Sequence, residues 1–218
     1  KAGDLNRPSK FLTLCLNAIE KSMHGNNGED RPLFVDSWGV EFLKCYLSGE
    51  NVVETGGVPC TTEQIAWIVS VAADTMTRKE KEGLSIATPF LLFLVPSQEK
   101  ATKVRKVCKP LKALGIHSVS LHSGASVDHQ MQGLKSCEPE FLVSTPDRLV
   151  ELISWKAIDV SGVSFLVIDG VGYLNKDMDL LKSIVQSISG KPFSVVFDES
   201  LSSKCPSALQ NLLSGVSP

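Results

Sequence analysis

Phe141-Leu142-Val143-Ser144-Thr145-Pro146-Asp147-Arg148-Leu149 and, further on, Phe165-Leu166-Val167-Ile168-Asp169 decide the fold. Each opens on a short apolar run and ends abruptly at polar residues, the pattern of a strand covered on both faces. Phe90–Val95, Ser118–Leu121 and Phe193–Phe197 repeat it. Between them, 98–114, 126–135, 147–154, 176–188 and 203–213 carry helical spacing, with Pro110 predicted to kink or split the first. Strands alternating with helices predict a parallel sheet with helices on both faces. Ligands of such sheets gather at the carboxyl ends of the strands, so the residues following each strand are the functional candidates.

Upstream, the spacing predicts an amphipathic helix from Ser9 to about Met23, a polar loop from His24 to Arg31, and a helix from Trp38 to Leu47. Thr61 and Gln64 have capping-box spacing, opening a long helix that stops near Gly83. Composition agrees with one α/β domain: 218 residues, 43% apolar, 21% charged, net charge −2. The longest apolar run, Pro89 to Pro96, is less than half of the roughly 20 residues a membrane span needs. With no signal-peptide pattern at its start, the chain reads as soluble and not secreted. Opening on Lys1 rather than Met, it reads as a piece of something longer. Cys15, Cys45, Cys60, Cys108, Cys137 and Cys205 include no Cys-x-x-Cys pair, which predicts reduced, mostly buried thiols. His122 and His129 find no metal partner at a familiar spacing and read as partly buried structural residues. No metal is expected.

The residues following the strands are Pro96-Ser97-Gln98, His122-Ser123-Gly124 with Gln130 and Leu134, Thr145-Pro146-Asp147-Arg148, Asp169-Gly170-Val171-Gly172 and Asp198-Glu199-Ser200. In order and spacing they resemble the first RecA-like domain of DEAD-box RNA helicases, over about Trp38 to Leu201. The resemblance implies a RecA-like P-loop NTPase fold for 38–218, with 1–37 as an N-terminal helical extension and loop. It also implies where ATP and RNA would bind.

The family's phosphate loop, A-x-T-G-x-G-K-T, falls on Glu54-Thr55-Gly56-Gly57-Val58-Pro59-Cys60-Thr61, which puts Pro59 at or beside the lysine position. Its D-E-A-D motif falls on Asp169-Gly170-Val171-Gly172, where the first aspartate remains and the water-polarising glutamate is Gly170. The adenine-reading glutamine is Gly39, and the S-A-T motif is Asp198-Glu199-Ser200. Thr55, Gly56, Gly57, Thr61 and Asp169 therefore read as a vestigial nucleotide site with no ATP and no cofactor.

For RNA, the matching positions include Pro96, Ser97, Gln98, Gly124, Thr145 and Arg148, with Gln98 in place of an arginine and Asp147 in place of a glycine. Arg148 has two open readings, phosphate contact or pairing with Glu151. The cations from Lys100 to Lys112, Lys103 and Lys106 among them, read first as the solvated face of an amphipathic helix and second as a weak phosphate patch. The expectation is a pseudoenzyme acting as a protein-interaction scaffold in a nuclear or RNA-related assembly, nuclear rather than cytoplasmic. Its partner surface would be the helix bearing Phe11, Leu12 and Leu16, or the emptied cleft. The alternative is ATP-independent binding of single-stranded RNA. A residual ATPase is a third reading.

Overall fold

The computed structural model describes residues 8–24, 37–57, 59–170 and 178–198. Six parallel strands form one sheet: β1 Val52–Glu54, β2 Leu91–Leu94, β3 Ser118–Leu121, β4 Phe141–Ser144, β5 Phe165–Asp169 and β6 Phe193–Phe197, in the spatial order β1-β6-β5-β2-β4-β3. The helices are α1 Lys10–His24, α2 Ser37–Ser48, α3 Thr62–Lys81, α4 Gln98–Cys108, α5 Val127–Cys137, α6 Pro146–Ser154 and α7 Met178–Gln186. Pro110 ends α4 as expected, and a 3₁₀ turn, Lys109–Leu114, follows it.

Alternation along the strands builds two cores. Leu91, Phe93, Val95, Phe141, Val143, Phe165, Val167, Val195 and Phe197 face one side with α1 to α4. Leu92, Leu94, Leu142, Leu166, Ile168 and Val196 face the other with residues of α5, α6 and α7. This is why β2, β4 and β5 are continuous apolar runs: a strand buried on both faces has no polar side to show.

The Thr61–Gln64 box is present, with Gln64 N–H donating to Thr61 Oγ1 at 3.1 Å and Thr61 N–H to Gln64 Oε1 at 2.9 Å. Ser9 caps α1 through Leu12 N–H at 2.9 Å, and its hydroxyl bonds to Asp74 of α3. Leu12 and Leu16 are buried against the core and Phe11 packs beside them. The apolar face of α1 is thus consumed within the fold, which removes it as the expected partner surface.

β1 was not expected as a strand, since three residues with only Val52 and Val53 apolar give no period to read. The helix expected at 203–213, along with Gly172, Glu199, Ser200 and Cys205, lies outside the described residues. Cys15, Cys60 and Cys108 are buried free thiols, as expected, whereas Cys45 and Cys137 are half-buried. His129 is exposed, contrary to expectation, while His122 is half-buried. Among the described residues no helix is long and apolar enough to cross a membrane.

Candidate functional site

Parallel strands place all their carboxyl ends along one edge, and here the edge divides by charge. At one end lie Glu54 of β1, Asp198 after β6 and Asp169 at the end of β5. At the other lie Thr145 after β4 and His122 after β3, with Arg148 in the first turn of α6. The helix α4, starting after β2, runs from one half to the other.

In the acidic half, Trp38 Nε1 donates to Glu54 Oε2 at 3.0 Å, and Asp198 N–H donates to Glu54 O at 2.8 Å. Trp38 also stacks on Phe42, ring centroids 5.0 Å apart, so the carboxylate of Glu54 is held by a rigid aromatic pair.

Asp169 is 1% exposed and engaged on both oxygens. The Cys60 N–H donates to Oδ1 at 3.3 Å, and Lys100 Nζ stands 3.6 Å from Oδ2. Lys103 Nζ donates to Cys60 O at 2.7 Å. Two lysines of α4 therefore fasten the β1–α3 loop onto the end of β5. This corrects the solvated-face reading for Lys100 and Lys103; Arg105, Lys106, Lys109 and Lys112 do face outward. Cys60 lies inside the cluster, and burial, then the charge of Asp169, push its thiol well above the ordinary 9.0.

A strand–loop–helix phosphate motif opens its helix with the lysine and the hydroxyl residue. Here α3 opens with Thr62 and Glu63, which places those positions beyond Pro59, where the sequence had suggested them. Thr61 is the cap, Thr55 and Gly56 are exposed, and Gly57 takes a left-handed φ of 68°. Gly39 lies in α2 directly against the indole of Trp67, so a side chain there would collide with that ring 2.0 Å away. Among the described residues no group of three or more His, Cys, Asp or Glu is arranged to hold a metal.

In the opposite half, Ser97 caps α4, accepting from Lys100 N–H at 3.3 Å. Pro96 is half-buried behind it, and the Gln98 carboxamide covers Gly124. Thr145 caps α6 without a side-chain hydrogen bond, and its Oγ1 is buried with no partner. Arg148, 8% exposed, pairs through Nε with Glu151 at 3.1 Å, while its Nη1 is buried without a partner. Both readings of Arg148 therefore retain an atom each: Nε is structural, and Nη1 is left to donate to a ligand.

The DEAD/DEAH box helicase family model matches residues 64–200. The chain belongs to that family. It is 30% identical over 151 residues to the pre-mRNA-processing ATP-dependent RNA helicase prp5 of Sclerotinia sclerotiorum, covering 65% of this chain and 12% of that protein. It is 30% identical over 194 residues to the prp5 of Aspergillus clavatus, covering 84% of this chain and 16% of that protein. The chain thus spans a small fraction of these relatives. A hypothetical ATP-dependent RNA helicase from Sulfolobus tokodaii shares the fold, with a TM-score of 0.65 and 16% identity over 91% of this chain and 54% of that one. The RecA-like expectation for the fold is met.

Proposed function

We propose that this chain is a DEAD-box domain that neither binds nor hydrolyses ATP and serves as a protein-interaction module in a nuclear, RNA-processing assembly. The carrying observation is the double engagement of Asp169 by Lys100 and the Cys60 N–H. In this family the carboxylate would face magnesium; here an ammonium already stands 3.6 Å from one oxygen and a backbone N–H donates to the other. Magnesium and triphosphate do not fit the remaining donors. α3 opens with Thr62 and Glu63, so neither opening residue supplies the ammonium a triphosphate needs, and Glu63 adds a carboxylate to the first turn. Phosphoryl transfer depends on positioning and charge neutralisation, and Gly170 supplies neither to an attacking water.

In this reading 38–218 is the RecA-like unit, and 1–37 is its N-terminal extension, whose α1 is sealed onto α3. The RNA-processing context rests on the relatives, which are pre-mRNA-processing ATP-dependent RNA helicases. A thermal-shift experiment tests the nucleotide part, because a ligand that binds only the native state must raise the melting temperature. Millimolar ATP with magnesium leaves it unchanged in this account; a dose-dependent rise overturns it.

A second reading is favoured by a separate observation. Thr145 Oγ1 and Arg148 Nη1 are buried donors without partners, at the N-terminus of α6. Such groups are costly unless water or a ligand satisfies them, and a nucleic-acid phosphate would. This supports ATP-independent binding of single-stranded RNA, weak and salt-dependent, with Pro96, Ser97, Gln98 and Gly124 alongside and Lys106 on the exposed side of α4.

A further inference from the structure

His122 stands beside this pair. Leu121 and Ser144 are register partners in the parallel β3–β4 ladder, and Thr145 N–H donates to Leu121 O at 3.0 Å. His122 and Thr145 therefore emerge side by side from adjacent strands. The backbone of His122 is fixed from α5, where Gln130 Nε2 donates to His122 O at 2.7 Å. Its Nδ1 is buried and, like Thr145 Oγ1 and Arg148 Nη1, has no hydrogen-bond partner. Three unsatisfied polar atoms thus sit together on two neighbouring strand ends and one helix turn.

The chemistry of the three atoms limits what can satisfy them. A guanidinium nitrogen only donates, and a hydroxyl donates readily, so the missing partner is an acceptor. A phosphate oxygen accepts from every side and carries the charge that suits Arg148. The imidazole of His122 joins that set as a donor through Nδ1–H, and becomes a donor at both nitrogens when it takes up a proton.

We propose that His122 is a proton-dependent ligand of the phosphodiester backbone of single-stranded RNA, acting with Thr145 and Arg148 and taking up a proton as the phosphate arrives. This rests on the RNA-binding reading and adds its regulation. The electrostatics of the free protein agree. Burial first, then the positive charges of Arg148 on α6 and Arg105 on α4, hold the imidazole below its ordinary 6.5, in the neutral form. Arg148 is itself partly offset by Glu151, and the charged or titratable residues on the first turn of α5, Asp128 and His129, are exposed. A phosphate beside Arg148 offsets the positive charge that disfavours the imidazolium, so the bound state holds the proton more readily than the free state.

The test uses the whole chain and a fluorescein-labelled oligouridylate, with anisotropy read at constant ionic strength between pH 7.8 and pH 5.8. One linked proton strengthens binding by up to about tenfold per pH unit, and the wild type is expected to gain several-fold while His122→Gln changes less than about twofold. Equal pH dependence in the two proteins overturns the proposal. In a second measurement, which needs no variant, the His122 ring proton resonances are titrated with and without the oligouridylate. Their midpoint is expected to move to higher pH on binding, and an unmoved midpoint overturns the proposal. Inorganic phosphate is the companion probe: a shift with phosphate but not with the oligouridylate assigns the site to a free anion and overturns the RNA source. Failure of the underlying reading looks different, as no binding at any pH, or binding indifferent to Arg148→Ala.

Discussion

Lys100 Nζ lies 3.6 Å from Asp169 Oδ2, joining the third residue of α4 to the last residue of β5. The contact turns a carboxylate at the carboxyl edge of the sheet inward. Together with Lys103 on Cys60 O, it packs Cys60, near the end of the β1–α3 loop, into the protein.

The first prediction concerns stability. Lys100→Met takes the ammonium away from the buried Asp169 carboxylate, and costs about 1–3 kcal/mol. The loss stays below that of a fully buried pair because the Lys100 side chain is 21% exposed. Asp169→Asn also lowers the melting temperature, and the double variant recovers part of the combined loss, as urea denaturation will show. Were Asp169 merely waiting for magnesium, removing its charge would leave the ligand-free protein as stable or more so.

A second prediction follows from Gly39. A methyl group there meets the Trp67 indole at 2.0 Å, and that ring is buried on every side by the core. Gly39→Ala is expected to cost about 1–3 kcal/mol through overpacking, with a change in Trp67 fluorescence. An unchanged denaturation midpoint would contradict the packing described.

The sheet was legible in the sequence because burial on both faces leaves a contiguous apolar run in β2, β4, β5 and most of β6; β3, Ser118-Val119-Ser120-Leu121, is an edge strand that is only half-buried over its first three residues, contrary to the expectation that it is covered on both faces. β1 escaped because a short edge strand is fixed by its register with β6, Val52 beside Val195, and not by its own pattern. The Thr61–Gln64 cap was legible for the opposite reason: its two bonds are local. The lysines were misread because amphipathic spacing tells which residues face the core, not which cations find a distant acid. The one available hint was position, since Lys100 follows a strand end, where ligands and their substitutes collect.

The acid side of the stability curve carries a third prediction. His122 is held below its ordinary 6.5 in the folded chain, so protonation favours the unfolded state. Its contribution to stability is complete above pH 6.5 and is lost as pH falls below that value toward the lower folded one. His122→Gln is therefore expected to flatten the decline in stability between pH 7 and pH 5, measured by urea denaturation across that window. An unchanged slope would show that His122 is not held neutral.

Thiol chemistry gives a fourth. Burial pushes Cys108 up to about 12; burial, with Asp74, does the same for Cys15, and Cys60 is raised well above its ordinary value. Thiolates are the reactive form. In the native protein at pH 8, iodoacetamide is expected to modify the half-buried Cys45 first, then the half-buried Cys137, whose thiol is also raised by burial and Glu140, and only later these three, as peptide mapping by mass spectrometry will show. Early labelling of Cys60 would mean that the β1–α3 loop opens readily.

A cleft closed to nucleotide by its own charges, as proposed, is tested most directly by calorimetry. ATP or ADP with magnesium, titrated into the chain at high micromolar concentration, is predicted to give no binding heat. A one-to-one isotherm that Asp169→Asn abolishes would contradict the account and return Asp169 to the role of a magnesium-facing residue.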